Sequence, residues 1–250
     1  PLGIVMMAVG LWFAVRRLET WYMPLWAAGA IVLDLVFNEA LSHHEYYQII
    51  WVPLVGVLAA LLVGGVLGLV AGFRGGFLDV AFTRAADVGL ALPPLLILLV
   101  IIAGSGSSSL VVIVAVVLVF APRIGRVVRG AAQDASAAEY VLAARARGEG
   151  ATSIALREIA PNITGPVAVE LAVRFTHAVI FVATLSFLGV GAAPPSPNWG
   201  LMISEGRSVL SLQPYGVAAP AVCLACITIG FNLLADAGAH LLSRDGADAA

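Results

Sequence analysis

Apolar residues along this chain fall into long blocks, at 1–15, 22–38, 49–73, 86–103, 108–126, 166–188 and 214–238, separated by short polar connections. A helix needs roughly 20 apolar residues to cross a hydrocarbon core, and most of these blocks have that length. None alternates residue by residue as the strands of a membrane barrel do. The pattern predicts an all-α, polytopic membrane helical bundle of about six or seven spans. The block at 1–15 is short for a span, in keeping with a remnant of a longer helix. One stretch breaks the rhythm. Residues 139–162, "EYVLAARARGEGATSIALREIAPN", are polar and studded with arginine between two apolar blocks.

Composition supports the membrane reading. A hydrophobic share of 61%, only 11% charged residues and a mean hydropathy of +1.01 point to a chain solvated mostly by lipid. Every one of the 13 basic side chains is arginine. With no lysine there is no phosphate-gripping lysine of a P-loop, so any ATP that drives this protein is hydrolysed on another polypeptide. No cofactor bound by the chain itself and no nucleic-acid partner are expected. Arg16, Arg17, Arg74, Arg84, Arg123, Arg126, Arg129, Arg145, Arg147, Arg157 and Arg244 fall on one set of alternate connections, and the opposite set holds only Arg207. Cytoplasmic flanks retain positive charge, so the insert and the C-terminus are expected in the cytoplasm and the N-terminus outside. The net charge of −2 says little beside this distribution.

Read as residues, the insert is helix, elbow, helix. "EYVLAARAR" is rich in helix formers, Gly148 and Gly150 supply a break, "ATSIALREIA" resumes, and Pro161 is expected to stop it. Ala143, Ala144 and Ala146 leave a thin surface suited to a groove, while Arg145, Arg147 and Arg157 offer charge to an acidic rim. On the residues alone, a solvated loop that only orients the protein is the favoured reading and docking the alternative.

Other candidates carry less. Gly64, Gly68 and Gly72 recur every fourth residue, a ridge on which a second helix packs closely. Glu170, Arg174 and His177 share one face of the 166–188 block; intramembrane ionisable groups usually face the bundle interior or a water-filled path, so Arg174 and His177 are candidates to line a pathway. Cys223 and Cys226 sit in an apolar segment and read as packing, and His43, His44 and Glu45 read as surface residues. No charged n-region or cleavage site supports a signal peptide at the start of the chain.

Two stretches carry a resemblance. The insert resembles the EAA loop of ABC importer permeases in the form "EYVEAARALGAS…RHILPN", matching at Glu139, Tyr140, Val141, Ala143, Ala144, Arg145, Ala146, Gly148, Arg157, Ile159, Pro161 and Asn162. It departs at Leu142, where the motif has glutamate, and at Ala160, where it has leucine. The second stretch, 185–200, "LSFLGVGAAPPSPNWG", is similar to the "LSFLGLG..PP.P.WG" segment of C-type dipeptide, oligopeptide and nickel permeases. The likeness runs from about 51 to 238 and fails at the start, where "NEALSHHEYYQ" stands in place of a "GRD"-containing external segment.

The resemblance implies a type I ABC importer transmembrane domain over 49–250, with a coupling loop at 131–163 and divergent N-terminal spans at 1–48. It implies a bacterial inner-membrane permease that forms half of a translocation pathway for peptides, with nickel or another small solute as the alternative cargo. Implied partners are the lipid bilayer, a second homologous permease, P-loop ATPase subunits that carry the ATP and Mg, and an extracytoplasmic substrate-binding protein. Glu139, Ala143, Ala144, Arg145, Arg147, Gly148, Arg157 and Pro161 would couple to the ATPase. Arg174, His177, Ser186, Phe187 and Trp199 would line the path or its external mouth. A different class, an ion-gradient-driven secondary transporter, would rest on Asp34 and on the Glu170, Arg174 and His177 face.

Overall fold

The computed structural model describes residues 48–191 and 198–247, with side chains over 51–191 and 198–233. The blocks predicted at 1–15 and 22–38, Asp34, the His43 and His44 pair, and Pro194, Pro195 and Pro197 lie outside the described residues. Within them the chain is helical: α1 Gln48–Arg74, α2 Gly76–Ala91, α3 Pro94–Ser105, α4 Ser109–Ser136, α5 Glu139–Ala146, α6 Ala151–Ser153, a π turn Ile154–Ile159, α7 Ala160–Asn162, α8 Thr164–Phe187, α9 Trp199–Gly206 and α10 Tyr215–Ala247. Four helices are long and apolar enough to cross a membrane, or five spans if α2 and α3 count as one.

The span predicted at 86–103 is corrected. The chain breaks inside it, and α2 and α3 are bent by 80°. Leu92 is extended (φ −93°, ψ 139°) and Pro93 follows in the same region (φ −61°, ψ 127°). Two successive prolines remove two donors and push the preceding residue out of the helical region, so an apolar window can run through a place that a helix cannot. The block at 108–126 is corrected in length, because α4 continues through its arginines to Ser136.

The described residues fall into two compact units, a larger one over 52–178 and a smaller one within 179–238. In the larger unit α4 is the central element, burying Val112, Ala115, Val119, Ile124, Gly125 and Ala132 among others. The glycine ridge of α1 packs on it. A Cβ at Gly64, Gly68 or Gly72 would collide with the backbone carbonyl of Ala121, Gly125 or Arg129 respectively. Only glycine lets two helices approach that closely. These pairs rise together along both helices, so α1 and α4 run in the same direction. On another side of α4, Asp79 meets Arg129, Phe82 covers Gly125 and Gly89 faces Pro122. Here the order is reversed and α2 runs antiparallel. α3 completes the packing with Leu98 and Ile102 buried.

In the smaller unit the end of α8 is followed by a tight turn. The amides of Val190 and Gly191 both donate to the carbonyl of Leu185, at 3.0 and 3.1 Å. α9 then begins at a side-chain cap: Asn198 Oδ1 accepts from the amides of Gly200 and Leu201 at 2.9 and 3.4 Å. Such a cap satisfies the first unpaired donors of a helix. Gly200 presses its backbone on the Ala183 carbonyl, which fixes α9 beside the end of α8.

Candidate coupling element and pathway residues

The insert predicted as helix, elbow and helix takes that form. Its first helix, α5, buries Val141 and Ala144 three residues apart on one face. Ala144 therefore faces the chain's own interior, and the outward surface of α5 consists of Glu139, Tyr140, Leu142, Ala143, Arg145 and Ala146. Gly148 turns the chain with φ +80°, a left-handed conformation that side-chain-bearing residues rarely adopt. Arg147 stands over this elbow, its guanidinium 2.6 Å from Glu149 and 3.9 Å from Glu158.

The second arm contains the π turn, which sequence reasoning missed. Ile154 and Ile159 are both buried, at 2% and 0% exposure. In an α-helix five residues would leave them about 140° apart. The wider π turn brings both to the inner side, and Ile163 continues that seam one turn later. Leu156 and Arg157 are left facing outward, with Leu156 61% exposed. Pro161 does not stop the helix as expected. It falls in the first turn of α7, directly after the π turn, where a missing amide costs little. The break comes at Ile163 (φ −98°, ψ 7°), and Thr164 Oγ1 donates to the Pro161 carbonyl at 2.9 Å.

Arg145 lies with its guanidinium 5.4 Å from the centroid of the Phe73 ring at the end of α1. Since α1 and α4 run in the same direction, the insert and the Arg74 end of α1 are at one end of the larger unit. Arg126 and Arg129, read from sequence as flanking charges of the insert, belong to α4 and pair with Asp87 and Asp79 of α2. The Arg129 pair is bidentate, its second contact being 2.8 Å, and Gln133 adds a donor at 3.3 Å.

Of the pathway candidates, Arg174 forms an ion pair with Glu170 one turn earlier on α8, at 2.5 Å, and Glu170 is buried. Arg123 of α4 lies within electrostatic range of both. The sequence gives no hint of this third member, since it comes from another helix. His177 is exposed one turn beyond Arg174, and a ring nitrogen lies 2.6 Å from the Val173 carbonyl. In the smaller unit Ser186 is buried and donates to the Val182 carbonyl at 3.1 Å. Phe187 lies under the Arg207 guanidinium, 5.7 Å from ring centroid to charge, and Trp199 is the first residue of α9. The pathway candidates thus divide between the two units, Arg174 and His177 in the larger and the other three in the smaller. Cys223 and Cys226 are free thiols, partly exposed on α10.

An all-α set of membrane-spanning helices with a polar helix–elbow–helix insert is the class that fold and site define. The family described as "Binding-protein-dependent transport system inner membrane component" matches residues 64–245, and the chain belongs to it. It is a multi-pass membrane protein. The chain is 34% identical over 180 residues, 72% of its length, to the dipeptide transport system permease protein DppC of Alkalihalophilus pseudofirmus. It is 34% identical over 72% of its length to the glutathione transport system permease protein GsiD of Pectobacterium atrosepticum, and 32% identical over 73% to the oligopeptide transport system permease protein OppC of Bacillus subtilis. The matched part spans 59%, 60% and 61% of the lengths of these three relatives. Among solved structures, an inward facing conformation of the MetNI methionine ABC transporter is similar in fold, with a TM-score of 0.66, 15% identity, and coverage of 80% of this chain and 94% of that one.

Proposed function

We propose that this chain is a transmembrane permease subunit of an ATP-driven ABC importer of peptides, forming half of the translocation pathway and coupled through its insert to a cytoplasmic ATPase. The observation that carries this reading is the insert. Its inner faces are buried by Val141, Ala144, Ile154 and Ile159, while Tyr140, Leu142 and Leu156 stay exposed beyond the ends of the spans. Apolar residues left exposed on a polar insert, outside the apolar spans, suit a docking contact with another protein. The names of the relatives support peptides as cargo, since a dipeptide, an oligopeptide and glutathione are all peptides.

In this reading the chain carries out no bond chemistry. A second homologous permease completes the path, a substrate-binding protein delivers cargo from outside, and closure of two ATPase domains moves the insert as a rigid body that switches the cavity between its two openings. Arg174, His177, Ser186, Phe187 and Trp199 line the path or its mouth, and the insert faces the cytoplasm. The test is to purify the tagged protein in mild detergent from its native membrane, with and without Gly148→Pro. Proline cannot adopt the positive φ of Gly148, and it removes the amide that donates to the Arg145 carbonyl at 3.0 Å. The expected result is recovery of a P-loop ATPase and a second permease with the wild type, and loss of the ATPase alone with the variant. A solitary protein in both preparations, transporting in ATP-free vesicles under an ion gradient, would overturn the proposal in favour of a secondary transporter.

A further inference from the structure

We infer that the three arginines of the insert have separate tasks, Arg145 and Arg147 as positioning residues that hold its shape and Arg157 as the cation that selects the docking partner. The inference rests on the reading above that the insert docks on an ATPase. In sequence the three look equivalent. In the structure the Arg145 guanidinium lies over the Phe73 ring of its own chain, which holds it in place and ties α5 to the last turn of α1. Arg147 lies between Glu149 and Glu158 and bridges the two arms across Gly148. With two carboxylates around one guanidinium, that corner presents no surplus positive charge. Arg157 is exposed, and among the described residues no carboxylate pairs with it.

The backbone that carries it is nevertheless anchored. The π turn carries Arg157 and Leu156 outward because Ile154 and Ile159 anchor the same turn inward. A cation on an anchored turn beside an exposed leucine matches a surface with an apolar hollow for Leu156 and a carboxylate on its rim for Arg157. The departure at Leu142 fits this division. Where the related motif carries glutamate, this insert has an apolar residue 53% exposed, so α5 contributes contact area and the second arm contributes the charge.

The experiment uses the assembled transporter purified from membranes and measures the ATPase recovered per permease at rising sodium chloride. Arg157→Ala should lower that recovery by about tenfold at moderate salt, with Arg157→Glu worse and Arg157→Lys restoring most of it. Arg145→Ala and Arg147→Ala should lower recovery less, by about two- to threefold, and leave its salt dependence as steep as in the wild type. The salt dependence of recovery should be steep in wild type and flat in Arg157→Ala, a signature that a merely structural role would not produce. Recovery of the second permease reports that each variant is folded. Equal losses from all three substitutions, or normal recovery with Arg157→Glu, would overturn the inference. A wild-type preparation without any ATPase is a different result, because it removes the importer reading itself.

Discussion

Helix α4 and the insert that follows it each carry three arginines, and they use them in opposite ways. In α4, Arg126 and Arg129 are paired with Asp87 and Asp79 across to α2, and Arg123 donates to the Val119 carbonyl of its own helix. In the insert one arginine closes an elbow, one lies on a phenylalanine and one is exposed with no carboxylate paired to it among the described residues. The difference follows from the solvent. Charge placed in an apolar span is costly unless a partner or a wet path receives it, so each arginine of α4 has a polar partner and two of them join α4 to α2. Beyond the lipid, water does that work, and a cation can be kept in reserve for recognition.

The largest effect should come from breaking the packing that lets α4 remain central. Gly68→Val drives a side chain into the Gly125 carbonyl, whereas a Cβ at Gly65 meets only the flexible end of Leu61 at 3.3 Å. The first substitution should cost about 3 kcal/mol or more and abolish folded protein in a detergent melt, with Gly65→Val close to wild type. Equal behaviour of the two would refute the parallel α1–α4 contact. Next comes the ion pair. Asp79→Ala leaves Arg129 without its carboxylate and should lower the melting midpoint by several degrees, while the double exchange Asp79→Arg with Arg129→Asp recovers most of it. Failure of the exchange to recover stability would show that the pair does not join α2 to α4.

Smaller effects belong to the insert. Gly148→Ala imposes the left-handed penalty of about 1 kcal/mol on the elbow alone, so transport per ATP should fall while the melt of the helical domain hardly moves. A large drop in the melting midpoint would mean that the insert is part of the stability core. Arg147→Ala should be the mildest, worth about 0.5 kcal/mol or less and vanishing at high salt, because the pair is exposed. A substantial, salt-independent loss would show that the Arg147 bridge is sheltered from water in the working assembly.

Much of this was legible in advance. Hydropathy is a one-dimensional property, so the 49–73, 166–188 and 214–238 blocks correspond to α1, α8 and the start of α10. The elbow was legible at Gly148, where only one residue type suits the backbone. The four-residue glycine spacing announced a close helix contact, though not its partner. Other features were hidden because they depend on what lies opposite. A hydropathy average passes over Pro93 and Pro94 and cannot register the 80° bend they cause. Ala143 and Ala144 are identical to a composition, and only packing turns one outward and the other inward. Pro161 reads as a stop until the π turn places it where its missing amide does little harm.

The amino-acid sequence by itself therefore determined the all-α membrane class, the position of the insert and the absence of a P-loop lysine, since each follows from local composition or from residue type at a known spacing. The tertiary structure alone decided which helix meets the glycine ridge, which arginines meet a carboxylate or a ring of their own chain, and which one is left exposed without such a contact among the described residues. The physical reason is that the free energy of a buried charge or of a close helix contact belongs to a pair of surfaces, and a linear string names only one member of that pair at a time.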